Sequence, residues 1–189
     1  MKAKIPVSAK FGASLISSPA IKSIIPVGTW WEFEHYRKGN LIDKWAQKNV
    51  ITNEGLNHML NVAFNSATQI TSWYMGLFED DYTPLVTNTY AVPGFTESSA
   101  YNEATRPAFV EAEATAKIIT NSANKAMFTI SGTKTIYGAF LCGGGTGGNT
   151  KEDTLGGGTL FASSKFATAK DVVDGDVLMV VCSITLADV

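Results

Sequence analysis

Few residue types in this chain can serve as ligands, bases or nucleophiles, and their spacing decides whether they act together. There are two histidines, His35 and His58, and two cysteines, Cys142 and Cys182. The histidines lie far from the cysteines in sequence, so the four do not form the paired spacing of a zinc site, and two cysteines make no disulfide framework. Both thiols are expected reduced and facing the core. His58 falls beside Asn57 and Asn61 on the polar side of a helical pattern and is expected to face solvent, with no second ligand or carboxylate pair near it.

The run Gly143-Gly144-Gly145-Thr146-Gly147-Gly148 formally contains Gly-x-Gly-x-x-Gly. A dinucleotide site needs that motif between a strand and a helix whose N-terminus carries the pyrophosphate. Here Asn149 to Thr154 and a second run, Gly156 to Gly158, follow instead, and the expectation is a mobile hairpin loop. Lys151 is out of the Gly-Lys-Ser/Thr order of a phosphate loop, and no serine sits in Gly-x-Ser-x-Gly. Two acidic groups, Glu79-Asp80-Asp81 and Asp171 with Asp174 and Asp176, bring together oxygen ligands suited to calcium. Neither has the spacing of an EF-hand, and both read as solvated turns in which Asp bonds nearby backbone N–H groups. Glu97 and Glu103 near Arg106 read as a structural bridge anchoring a long loop. With no nucleophile–base pair, carboxylate pair or metal set, the residues point away from an enzyme and call for no cofactor.

The elements that carry these residues follow from composition and period. At 189 residues and 45% hydrophobic content the chain can build a core, and its 17% of charged residues is below the roughly 25% usual for soluble domains. The net charge of −2 argues against nucleic acid as principal partner. No stretch approaches the roughly 20 apolar residues of a membrane span, and the lysines and prolines of the N-terminus spoil a signal-peptide pattern. Residues 1–28 hold Lys2, Lys4, Lys10 and Lys22, three prolines and no acid, and read as an extended arm. Removing its +4 from the total leaves −6 for the body, residues 29–189.

Within the body, Trp31, Phe33 and His35 alternate with Glu32, Glu34 and Tyr36, and Lys38-Gly39-Asn40 supplies a turn, so residues 29–48 read as an aromatic-faced hairpin. A helix near 53–64 is opened by Thr52 or Asn53, with Leu56, Met59, Leu60 and Ala63 as its apolar face. Residues 70–78 read as a central strand, 83–107 as loop, and further strands are expected near 108–118, 126–131, 134–142, 158–166 and 176–187. The last is apolar on both faces and should be central or covered by a neighbouring subunit. About seven short strands and one helix give a mainly β fold, a β-sandwich of jelly-roll-like or Ig-like kind.

The succession Trp31-x-Phe33-Glu34, Lys38-Gly39-Asn40, Trp45, Asn49-Val50-Ile51-Thr52-Asn53-x-Gly55-Leu56-Asn57 and Trp73-Tyr74-Met75-Gly76-Leu77-Phe78 resembles small structural proteins of tailed bacteriophages. Thr96-Glu97, Tyr101, Arg106-Pro107, Phe128-x-Ile130, Gly138-Ala139-Phe140-Leu141, Gly158-Thr159-Leu160-Phe161 and Val173-x-Gly175-Asp176-x-Leu178 continue it in order. The resemblance implies a β-rich protein of the virion. The preferred expectation is a capsid decoration or cement protein, a dimer or trimer bridging major capsid subunits, made in the host cytoplasm and carried on the capsid surface. Its attachment surface would be the arm, through Lys2, Lys4, Lys10, Ile21, Lys22, Ile24 and Ile25. A tail or head–tail connector component is the second expectation. The third is a receptor- or carbohydrate-binding module using Trp30, Tyr74 or Tyr82 as stacking platforms.

Overall fold

The computed structural model describes residues 26–187. The seven arm residues named as the attachment surface lie outside the described residues. Ten strands and one helix follow in order: β1 (Val27–Arg37), β2 (Asn40–Lys48), β3 (Val50–Ile51), α1 (Asn53–Phe64), β4 (Trp73–Phe78), β5 (Glu97–Ser98), β6 (Ile118–Thr120), β7 (Ala126–Thr129), β8 (Lys134–Gly143), β9 (Thr159–Val172) and β10 (Val177–Leu186). They form two antiparallel sheets. One runs β2-β1-β10, with β6 and β7 sharing the far edge of β10; the other runs β3-β9-β8-β4-β5. The two pack face to face as a β-sandwich, as the strand pattern predicts.

The hairpin forms because Lys38 and Gly39 both take positive φ, as a tight two-residue turn between twisted strands requires. It delivers Trp31 and Phe33 to the space between the sheets, where Phe33 stacks on Trp45 with centroids 5.1 Å apart and meets Phe166 edge-on at 4.7 Å. β10 is central, as its two apolar faces require. Between the pairing of β6 at Ser183 and that of β7 at Val180, its ladder has a gap. The buried Asn121 side chain fills it, donating to the Val180 carbonyl at 3.1 Å and accepting from the Cys182 N–H at 2.8 Å. A side-chain amide here stands in for a strand.

The second sheet is buried on both faces, which is why β4 and β8 show no polar alternation. Its outer face carries a second core of Phe78, Tyr90, Phe95, Phe140, Cys142 and Leu160, roofed by the loop between β4 and β5. Two cross-strand pairs set this surface. Gly76 faces Phe140, and Phe78 faces Gly138. Each ring lies over the opposite glycine, where a Cβ would collide with it. Phe95 then stacks on Phe78 at 4.6 Å and tilts on Phe140 at 5.1 Å.

Two expectations change. Residues 108–118 do not form one strand: Ala108 bridges Tyr74, Thr115 bridges Ile118 across a local turn, Ile118 only begins β6, and the exposed run 111–117 has little to bury. Residues 107–109 instead bond the open edge of β4, through Met75 N–H to Pro107 and Phe109 N–H to Trp73. β4 is interior, as expected, with β8 on one side and two-residue β5 and this segment on the other. The helix has the expected bounds and N-cap, Thr52 accepting from Gly55 N–H at 3.0 Å, but its apolar face is turned. Gly55 lets α1 approach the Phe161 backbone where a Cβ would not fit, so Gly55, Met59 and Val62 face inward. Leu60 and Ala63 are left exposed.

The glycine–phenylalanine pairs give a coupled prediction. Phe140→Ala should cost about 3–5 kcal/mol, because it empties a roofed site, and Gly76→Ala about 1–3 kcal/mol through overpacking. The double variant should be less destabilised than the sum, in urea unfolding with all four chains, because the added methyl enters the space the ring vacates.

Candidate functional site

The strongest concentration of polar chemistry is under the roof of the second sheet. Arg106 is 3% exposed and lies over the rings of Phe140 and Tyr90, at 5.4 and 5.6 Å from their centroids. Its Nε and Nη2 donate to the two Glu97 oxygens at 2.9 and 2.7 Å. Nη1 donates to the Tyr90 hydroxyl and the Gly148 carbonyl, and Nη2 also reaches the Asp153 carbonyl. A guanidinium has five N–H groups, and these partners take all of them. Burial pulls the Arg106 pKa down, but the paired carboxylate outweighs it and the net shift is upward. Burial pushes Tyr90 up to about 12. The Cys142 thiol, 3.4 Å from Nη1, is likewise pushed up to about 12 by burial, and Arg106 only partly offsets this. Such a thiol is not poised as a nucleophile at neutral pH.

The cluster draws four segments together. Glu97 Oε2 also accepts from Glu152 N–H at 2.7 Å, and the Tyr90 hydroxyl donates to Asp153 at 2.9 Å. Glu54, in the first turn of α1, accepts from Tyr90 N–H at 2.8 Å and Leu160 N–H at 2.6 Å. Asp153 accepts in turn from Gly156 N–H. The glycine run is therefore no free hairpin loop, since Gly147 and Gly148 are buried and their carbonyls are in use. Lys151 lies 3.8 Å from the centre of the Tyr101 ring and bonds its carbonyl. Glu97–Arg106 is the expected bridge. Glu103 belongs elsewhere, accepting from Thr129 N–H.

A second buried group sits at the start of β10. Asp176 is 1% exposed and is no solvated turn: it accepts from Arg37 at 2.8 and 2.7 Å, from Val173 N–H at 2.9 Å, and meets His35 Nε2 at 2.8 Å. The Arg37 pairing, against the opposing effect of burial, holds its carboxyl well below the usual range. On the outer face of the first sheet Glu34 takes Lys125, Lys44 and Tyr36, and the Lys125 bond leads in lowering its pKa to about 2. Of the remaining calcium candidates, Asp171 bonds Thr135, Asp80 accepts from Thr96 N–H, and Glu79 and Asp81 pair with Lys134 and Lys165. Among the described residues no three His, Cys, Asp or Glu side chains gather as a metal site.

His58 is half-buried, its ring edge-on to Trp73 at 5.7 Å, so it borders the mouth of an apolar pocket instead of standing in solvent. Tyr74 and Tyr82 are half-buried, Tyr82 against Phe95 and bonded with Asn88. Trp30 alone of the three stacking candidates is open, at 43%. It borders a groove of about 780 Å³ whose apolar walls are Pro26, Val27, Val50, Ile51, Leu56 and Val86. From Leu56 the outer side of α1 continues the apolar surface through Leu60, 57% exposed, and Phe64, 84% exposed. Sequence reasoning found these leucines by their period but assigned them to the core. Glu54, Tyr90 and Asn121 it did not single out, because the partners named above lie 16 to 106 residues away and no local spacing marks them.

No family model and no curated protein matches this chain.

Arg106→Ala should cost about 3–5 kcal/mol in chemical unfolding, because Glu97 is left buried without its counter-charge. Arg106→Met with Glu97→Leu should recover much of that loss. Glu34 and Asp176 have depressed pKa values, so their stabilisation is present above the ordinary carboxylate range and lost as pH falls through it. Thermal midpoints should therefore drop between about pH 4.5, the ordinary Glu value, and about pH 2, and the drop should be shallower in Glu34→Gln.

Proposed function

We propose that this chain is a structural protein of a tailed-phage particle, a capsid decoration or cement protein that bridges major capsid subunits and acts by binding alone. The observation that carries the reading is a division of charge. A −6 body has the buried charged side chains Glu34, Glu97, Arg106 and Asp176 engaged with other side chains and with backbone, and a +4 arm has chain enough to reach a neighbour. Several residues that carry the resemblance to phage structural proteins are fold-building: Gly76 and Phe140 seat each other, Arg106 ties down the roof, and Gly175-Asp176 turns the chain into β10. Twenty-five residues extended at about 3.3 Å each reach about 80 Å, longer than a domain of this size is wide. A mechanism of this kind needs no reactive group. It needs a body that keeps its shape and an arm that finds an acidic partner surface.

The test is full-length chain with Lys2, Lys4, Lys10 and Lys22 changed to Glu, added to capsids that lack the protein. Occupancy should fall sharply, and the unaltered chain should be released progressively as salt rises through the range where the Debye length shrinks from about 10 to about 3 Å. Copies bound per particle should number in the hundreds. Unchanged occupancy with the reversed charges, or copies in sixes or twelves, would contradict the reading.

A further inference from the structure

We propose that the cleft between the segment entering β4 and the glycine-rich segment after β8 binds an uncharged saccharide, stacked on Tyr74. Only the body takes part, so the site stands apart from the virion reading. The cleft has a volume of about 390 Å³, within the roughly 300–1,000 Å³ of small-ligand sites. Thr68, Gln69, Thr71 and Ser72 line it from one segment. Thr146 and Asn149 line it from the other, beside the bare backbone of Gly144, Gly145 and Gly148. With the Tyr74 hydroxyl, every polar side chain in this lining is a neutral hydroxyl or amide, and among the described residues none of them bonds another protein group. Such a lining offers donors and acceptors together, but no described side chain in it can neutralise a phosphate, a carboxylate or a cation.

A sugar ring matches this chemistry, because its hydroxyls donate and accept at once while its C–H face lies flat on an aromatic ring. Tyr74 is placed for that contact. Trp73, Met75 and Leu77 pack between the sheets, so strand alternation puts Tyr74 on the outer face with Gly76 and Phe78. Phe95 covers Phe78 there, whereas the half-buried Tyr74 meets no other ring among the described residues. An extended peptide is also uncharged and rich in donors and acceptors, but it finds no strand to pair with at this place. Residues 107–109 already bond the edge of β4 on either side of Tyr74. Both walls are fixed in advance. The Asn149 carbonyl accepts from Arg106 N–H at 2.8 Å, and the Gly148 carbonyl from the Arg106 side chain at 3.0 Å. Ile70 ties the other wall to this one by packing over Gly144, where a Cβ would collide with it. A ligand therefore meets donors and acceptors already in position, and little ordering opposes its binding.

The test is saturation-transfer NMR on the full-length chain with neutral trisaccharides of glucose, galactose, mannose, rhamnose and N-acetylglucosamine, followed by titration of those that bind. At least one should bind with a Kd in the millimolar range or tighter, unchanged from low salt to about 1 M, where the Debye length is about 3 Å. Tyr74→Ala should weaken binding at least about tenfold, and Tyr74→Phe, which keeps the ring, should retain most of it. Thr146→Ala with Asn149→Ala removes side-chain partners but leaves the backbone carbonyls on Arg106, and should weaken binding at least about fivefold. Trp30→Ala is the control, since Trp30 lies on β1 in the other sheet, and should bind as the unaltered chain does. No saturation transfer to any of the trisaccharides, or binding that disappears at high salt, would overturn the proposal. So would binding that survives both Tyr74→Ala and the double variant, binding lost in Trp30→Ala, or equal binding of an uncharged Gly-Ser-Asn peptide.

Discussion

A charged group buried under a loop constrains everything around it. Taking the Arg106 guanidinium out of water costs several kcal/mol, and only a complete set of acceptors offsets that. Those acceptors come from three stretches of chain: Glu97 in β5, Tyr90 in the preceding loop, and the carbonyls of Gly148 and Asp153 from the glycine-rich segment. None can move away without leaving a buried donor unsatisfied. The roof of the second sheet is for this reason as fixed as the strands beneath it, although little of it is regular structure.

This constraint explains the shape of the second sheet. Phe140 and Phe78 project outward onto glycines of the opposing strand and would be exposed rings without a roof. Phe95 covers them from the loop, and the Arg106 cation faces Phe140 from above. A buried pair of this kind adds little net stability compared with an apolar replacement. What it supplies is uniqueness, since one loop arrangement satisfies the charge and the alternatives do not. Asp176 with Arg37 and His35 plays the corresponding part where the chain turns into β10.

Much of the fold was legible because its signals are local. The period of two around Trp31, the Lys38-Gly39 turn, the N-cap at Thr52 and the doubly apolar last strand each announce themselves within ten residues. The helix face was misassigned for a physical reason: the period shows that Leu56 and Leu60 share a side, but only the glycine at 55 decides which side approaches the sheet. Residues 108–118 read as strand by pattern, but their bridges are scattered single positions with no continuous partner strand until β6 begins at Ile118. In the candidate site the Glu97–Arg106 bridge was legible from charge and proximity, nine residues apart. The roles of Tyr90, Glu54, Asp153 and Asn121 depend on which strands become neighbours. Of the basic arm, expected over residues 1–28, Val27 and Gly28 already belong to β1; residues 1–25, with all the named attachment residues, lie outside the described residues, so the sequence remains their whole description.

The central claim is that the roof belongs to the same cooperative unit as the sheet it covers. Native-state hydrogen exchange measures this directly. The amides of Tyr90, Arg106, Glu152 and Leu160, whose acceptors lie in or beside the Arg106 cluster, should exchange at the rate set by global unfolding, together with those of Phe140 and Leu141. Exchange of the four orders of magnitude faster, with Phe140 and Leu141 still protected, would show a roof that opens independently and would contradict the account.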